Sequence, residues 1–320
     1  MVKMKRRLIT TAVGLVLFLG AFAQEKVVSI KYGDMDHWVT RKIHESGIIG
    51  GNTKLLYELG PTQVIDGNVA YINKGGSPWA NSNVMAKVVG IVKTNTSVYP
   101  EKRGDGYCAK LETHIEKVKV LGMVNITVLA SGSLFLGDMK EPITGTKDGE
   151  KALNVGVPFN QRPKAVRFDY KVKMSGQPDR IKQNGFSRKS VVKGQDCAIM
   201  TCVLQKRHED SEGNIIAKRI GTAVVRYNKS TDWKNKATYE IHYGDISRTS
   251  YYDAEIMRLG VGDYYARNSK GKSVMIKENG WAAADETPTH MILQFTSSLG
   301  GAFIGSPGNT FWVDNVELVY

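Results

Sequence analysis

The chain has 320 residues, 42% apolar and 23% charged, with 33 Gly and 9 Pro, a mixture that excludes a disordered, collagen-like or multi-span membrane protein. Lys and Arg number 44 against 31 Asp and Glu, for a formal net charge of +13. A balance of that size points to nucleic acid only if the charge belongs to the folded part.

Part of it does not. Lys3, Lys5, Arg6 and Arg7 precede an apolar run from Leu8 to Phe22, which closes in Ala21-Phe22-Ala23 before Gln24. A basic head, a short apolar middle and a small-x-small end make a secretory signal peptide over residues 1–23, cleaved after Ala23. A membrane anchor needs about 20 apolar residues and this run is shorter. No Cys follows it, so a lipoprotein is not expected. The expected mature chain is residues 24–320, carrying +9 of the +13, exported to the periplasm or the cell surface, with no membrane span and no nucleic-acid partner.

Val39 and Ile43 hint at two helical turns at most. β-rich runs then follow at 83–97, 107–120 and 124–136. Residues 166–174 alternate apolar and polar without a fault, which predicts a half-buried strand with its even-numbered side inward. Runs 198–207 and 215–227 flank Ser211-Glu212-Gly213-Asn214, so 197–225 reads as a long hairpin. Residues 239–243 alternate again, and Tyr252, Ile256 and Leu259 give a second, weak helical spacing. The runs 291–295 and 316–320 complete the series. Gly104-Asp105-Gly106, Lys147-Asp148-Gly149 and Pro307-Gly308-Asn309 supply tight turns. Many strands joined by turns predict an all-β, antiparallel two-sheet β-sandwich. Its length exceeds the roughly 100 residues of an immunoglobulin-type domain and fits one large jelly roll, with residues 24–75 as an N-terminal extension. A division into two domains near residue 75 is the alternative.

Three cysteines, Cys108, Cys197 and Cys202, form no complete disulfide set and read as small buried hydrophobes. Cys197 and Cys202 stand five apart, on opposite faces of a regular strand.

Motifs for nucleophilic catalysis, phosphate binding, dinucleotide binding and structural zinc are missing. Glycoside hydrolysis needs two carboxyl groups about 5–9 Å apart. Glu112 and Glu116 share a face if 107–120 is one regular strand, but about 13 Å apart. Glu112 alone is therefore a weak catalytic candidate, a surface acid on the plainer reading. Trp38 and Trp79 lie in polar, turn-forming surroundings. An amphipathic ring there suits stacking on the apolar face of a sugar, or else folds back to plug one end of the sandwich. Trp312 belongs to the last strand. Arg180, Lys182, Arg188, Lys189 and Lys193 make a cationic stretch with only Asp179 against it, either solvated or facing an anionic glycan. No cofactor is expected beyond a structural calcium, for which Asp34, Asp36 and Asp314 offer oxygens.

Several segments, in order, resemble one family of secreted bacterial proteins, the putative carbohydrate metabolism domain. They are Ser77-Pro78-Trp79-Ala80-Asn81-Ser82-Asn83, then 109–113, 130–137, 156–163, 168–171, 296–303 and 311–318. The resemblance spans about 75–320, with an echo at 33–38. It implies a jelly roll like those of carbohydrate-binding modules and a polysaccharide or oligosaccharide partner. Carried onto this chain, the implied sugar-binding residues are Trp79, Asn83, Glu112, Tyr170 and Lys171, with Trp38 beside them. Alternation sets Tyr170 and Lys171 on opposite faces, so both line one pocket only if the strand is bulged; Tyr170 carries the greater weight. The expected function is a secreted carbohydrate-binding protein, with a glycoside hydrolase-like enzyme and a non-catalytic surface structural protein as alternatives.

Overall fold

The computed structural model describes residues 25–73, 76–88, 90–120, 124–145, 149–185, 188–301 and 303–320. The export signal expected at 1–23 and most of the turn at 147–149 lie outside them.

The protein is a β-sandwich. Its six-stranded sheet runs Thr231–Glu240, Ala165–Lys173, Thr310–Val319, Gly106–Glu112, Val98–Arg103, with Val27–Ser29 also paired to Thr310–Val319. The second sheet has ten strands, its main path running from Leu153–Val155 through Ser133–Met139, His290–Thr296, Ala198–Glu209, Ile215–Tyr227 and Ser273–Trp281 to Tyr265–Arg267. Phe168, Tyr170, Phe311 and Val313 of the first sheet meet Met200, Leu204, Leu293 and Phe295 of the second in one core. Each such side chain contributes about 1.5–3 kcal/mol by leaving water.

Alternation accounts for the packing. Val166, Phe168, Tyr170 and Val172 are buried in the core, while Arg167, Asp169, Lys171 and Lys173 point away from it. The long hairpin forms as the pattern predicts, Ala198 pairing Tyr227 and Glu209 pairing Ile215. Cys202 joins the main core and Cys197 a separate cluster on the other side of its sheet. All three cysteines are free and buried, and burial pushes each thiol up to about 12.

Three differences have physical causes. Val39 and Ile43 belong to a strand, Trp38–His44, whose inward side is Val39, Arg41 and Ile43; a four-residue spacing is also twice the strand period. The weak helical spacing near 256 yields one turn, Ala254–Met257, capped by the Asp253 carboxylate. The pairing is also not wholly antiparallel: Trp38–His44 runs parallel to Gln63–Asp66, and Ile215–Tyr227 parallel to Ser273–Trp281.

A fourth difference shapes the site. The run 107–120 is two strands, Gly106–Glu112 in the six-stranded sheet and His114–Val120 in a small sheet with Val124–Ala130. The break is at Thr113, whose N–H donates to Asn309 O at 2.9 Å and whose hydroxyl bonds Ser297 Oγ at 2.8 Å. Gly132 sits against this corner; a Cβ there would lie 2.5 Å from Glu112 N, so only glycine fits.

Candidate functional site

The corner at Thr113 opens a cleft of about 350 Å³. Tyr57 and Lys54 reach it from the strand Thr53–Leu59, Lys93 from Ile91–Asn95, Tyr99 from Val98–Arg103, and His114 and Glu116 from the small sheet. The Tyr57 and Tyr99 rings form one wall, centroids 6.2 Å apart and tilted by 54°. Lys93 Nζ crosses the other wall, 2.8 Å from Glu116 Oε1 and 3.0 Å from the buried Glu45 Oε1. His114 Nε2 lies 3.7 Å from Glu116 Oε2, and His114 Nδ1 has no hydrogen-bond partner among the described residues.

The electrostatics hold this wall charged. Burial works to push the Glu116 carboxyl up, but hydrogen bonds from His114 and Lys93 and the charge of Lys93 outweigh it and hold it below its ordinary range. Burial likewise opposes the Lys93 ammonium, and its bonds to Glu116 and Glu45 raise it nonetheless. The Tyr99 hydroxyl is pushed up to about 12, by burial first and then by the negative charges of Glu112 and Glu116. The cleft therefore offers rings, an ammonium, a carboxylate and an imidazole, and Glu116 carries no proton to give at neutral pH.

From Tyr99 the polar face continues across the outside of the six-stranded sheet. Lys110 lies opposite both Tyr99 and Trp312, and Lys171 opposite Trp312. The Lys110 ammonium is 3.5 Å from Glu112 and 5.9 Å from the Tyr99 ring centroid. Lys171 Nζ sits 4.9 Å from the Trp312 ring centroid. Glu112 and Lys171 thus lie on this outer face, Glu112 beside the cleft.

The other expected sugar contacts lie elsewhere. Trp79 is 1% exposed, packed toward Phe295 with its indole N–H donating to Lys31 O. Trp38 is 6% exposed and donates to Met35 O. Both rings fold back into the core and present no face to a sugar, so the stacking role expected of them is replaced by plugging. Tyr170 is in the same core, among Phe168, Tyr227 and Phe311. Asn83 is buried, its amide donating to Tyr57 O and Val98 O while its oxygen accepts from Ser97 N and Val98 N. With those four bonds its carboxamide is used up; it braces the Tyr57 and Tyr99 strands from behind.

The three aspartates considered for calcium do not converge. Asp36 accepts from Tyr107 N, Asp34 accepts from Asp36 N, and Asp314 is bonded to Arg103. Among the described residues no group of three His, Cys, Asp or Glu is placed to hold a metal ion.

A carboxylate pair lies on the outside of the six-stranded sheet. Asp169 and Asp314 face each other across adjacent strands, and Arg103 Nη1 bonds an oxygen of each. The Trp233 ring covers the guanidinium, with 3.9 Å between its centroid and Arg103 Cζ. Burial pushes Asp314 up to about 6 against its bond to Arg103. Burial acts on Asp169 too, but the Lys236 N–H, Asn315 and Arg103 overcome it and hold that carboxyl low. A carboxyl raised on folding binds its proton more tightly in the folded state. Its contribution is therefore present in full below the unfolded value near 4 and lost as pH rises through about 6. Asp314→Asn mimics the protonated form, so its melting temperature minus that of wild type is expected to rise between pH 4 and pH 7. A flat or falling difference in paired thermal melts contradicts this assignment.

Sequence reasoning missed Tyr57, Lys93, Tyr99 and His114. Their convergence depends on strands from four sheets meeting at the Thr113 corner, and no local pattern encodes that.

A family model described as "Putative carbohydrate metabolism domain" matches residues 62–319. The curated proteins contain no match. Among solved structures, a putative glycoside hydrolase from Bacteroides vulgatus is 14% identical, covering 93% of this chain and 95% of that one with a TM-score of 0.38, a likeness too low to carry an argument. No helix among the described residues is long and apolar enough to cross a membrane.

Proposed function

The chain belongs to the putative carbohydrate metabolism domain family, and from that premise we propose that it is an exported carbohydrate-binding protein whose sugar lies in the cleft of Tyr57 and Tyr99. The observation that carries the reading is the pairing of two walls: aromatic rings on one side, and Lys93, His114 and Glu116 on the other. A sugar ring has apolar C–H faces and polar edges, and this cleft presents the complement of both. The leader pattern at 1–23 supports export.

A screen of the mature protein on a panel of polysaccharides and oligosaccharides, with reducing-end release measured alongside, tests the reading. Tyr99→Ala is expected to weaken the glycan found by about thirty-fold, or about 2 kcal/mol. Tyr99→Phe keeps the ring and should bind within a few-fold of wild type. Equal affinity in wild type and the alanine variant, with both folded, would sink the assignment.

Hydrolysis is a second reading with one observation in its favour: Asp169 and Asp314 are an acid pair whose environments drive their proton affinities apart. Reducing-end release that Asp314→Asn abolishes would establish it; Arg103 and Trp233 covering the pair favour the binding reading.

A further inference from the structure

Two cations of the stretch noted in the sequence, Arg180 and Lys193, line a second cleft of about 270 Å³, which shares no lining residue with the first. Arg180, Lys193, Gln195, Arg226 and Asn228 line it with donors, and Glu255 is the carboxylate on its wall. That carboxylate is engaged: its Oε2 accepts from Arg226 Nη1 at 2.9 Å, while Asp253 takes Arg226 Nη2. Asp179, outside the lining, accepts from Lys193 Nζ at 2.8 Å.

Arg180 differs from its neighbours. Its two terminal nitrogens donate to carbonyls, Leu299 O at 3.3 Å and Lys193 O at 3.1 Å. Neutral carbonyls hold the guanidinium in place without cancelling its charge. The Nε atoms of both Arg180 and Arg226 are buried with no hydrogen-bond partner among the described residues. A buried donor on a cation left without an acceptor is costly. Among the described residues, Lys193 and Arg226 have carboxylates against them while Arg180 has none, and Lys193 is 88% exposed beside it.

We propose that this cleft is an oxyanion site, taking a sulfate, phosphate or carboxylate group on the Arg180 guanidinium, with Lys193 beside it. A fixed guanidinium offers such a group two parallel N–H bonds and loses little freedom on binding it. Lys193, long and exposed, closes over the anion and adds charge. The site does not depend on a sugar occupying the Tyr99 cleft.

Calorimetric titration of inorganic sulfate into the mature protein tests it. Saturable binding is expected, at least ten-fold weaker in Arg180→Gln and a few-fold weaker in Lys193→Gln. Arg188→Gln, exposed and outside the lining, should match wild type. Lys193 is almost wholly exposed, so its variant keeps the test usable if Arg180→Gln fails to fold. Sulfate that shows no saturation in wild type, or that weakens as much in Arg188→Gln as in the two lining variants, overturns the proposal. Glucose 6-sulfate in a parallel arm separates the sources: tighter binding than inorganic sulfate assigns the site to a sugar-borne group, and equal or weaker binding to the free anion.

Discussion

Arg41→Met is expected to destabilise the fold by about 3–5 kcal/mol, because it leaves two buried acid groups without the cation between them. The Arg41 side chain is 1% exposed and stands between Val39 and Ile43 on the inward side of its strand. It donates to Glu58 Oε1 at 3.1 Å, to both oxygens of Glu141 and to Val69 O at 3.1 Å. Glu141 also accepts from the backbone N–H groups of Tyr71 and Met85. Burial pushes Glu58 up to about 8, with the charge of Glu141 adding to it and Arg41 opposing. The cluster thus sets one guanidinium between two buried acids, of which Glu58 keeps its proton at neutral pH. Removing the arginine takes away the cation that both acids are bonded to. Urea denaturation of wild type and variant at pH 7 measures the difference, and a loss below about 1 kcal/mol would mean that the cluster is open to water. Replacing all three residues by apolar ones of similar volume should recover most of the loss, since the cost lies in the buried acids left without that cation.

Trp79→Ala is expected to cost a similar 3–5 kcal/mol of stability while leaving glycan affinity of the folded protein unchanged. The ring is 1% exposed in the main core, so its removal leaves a cavity that the neighbouring strands cannot wholly close. It also strips the Lys31 carbonyl of its donor. Thermal melts and a glycan titration of the same preparation separate the effects. A folded variant that has lost its sugar would return Trp79 to the binding site and displace the Tyr99 cleft from it.

Those two positions show what the sequence carries and what it does not. Period-two alternation over 166–174 names each inward residue because every neighbour that matters lies on the same strand. The hairpin at 197–225 is legible for the same reason: its turn and both arms are contiguous. Trp79 is opaque because its local surroundings are polar, whereas its fate is decided by Phe295, more than two hundred residues away. Asn83 misleads in the same way. Its amide is the kind of group that binds hydroxyls, and four backbone groups from two strands consume it. For Lys171 the alternation was right in geometry, since it points away from the core, but it gave no reason to prefer the outer face over the inner. The spacing of Glu112 and Glu116 assumed one continuous strand, and the break at Thr113 removes that premise.

That break has a further consequence. Tyr99 and Glu112 belong to the six-stranded sheet and His114 and Glu116 to the small one, yet Thr113 is the single residue joining the two along the chain. Its amide, hydroxyl and carbonyl are tied to Asn309, Ser297 and Gly308, all near the start of the last strand or the end of a core one. The width of the cleft at this end is therefore inherited from the sandwich and settled when the core closes. The charged jaw cannot slide against the aromatic one here. The site is a mould cast with the fold, and it selects its guest by shape more than by yielding to it.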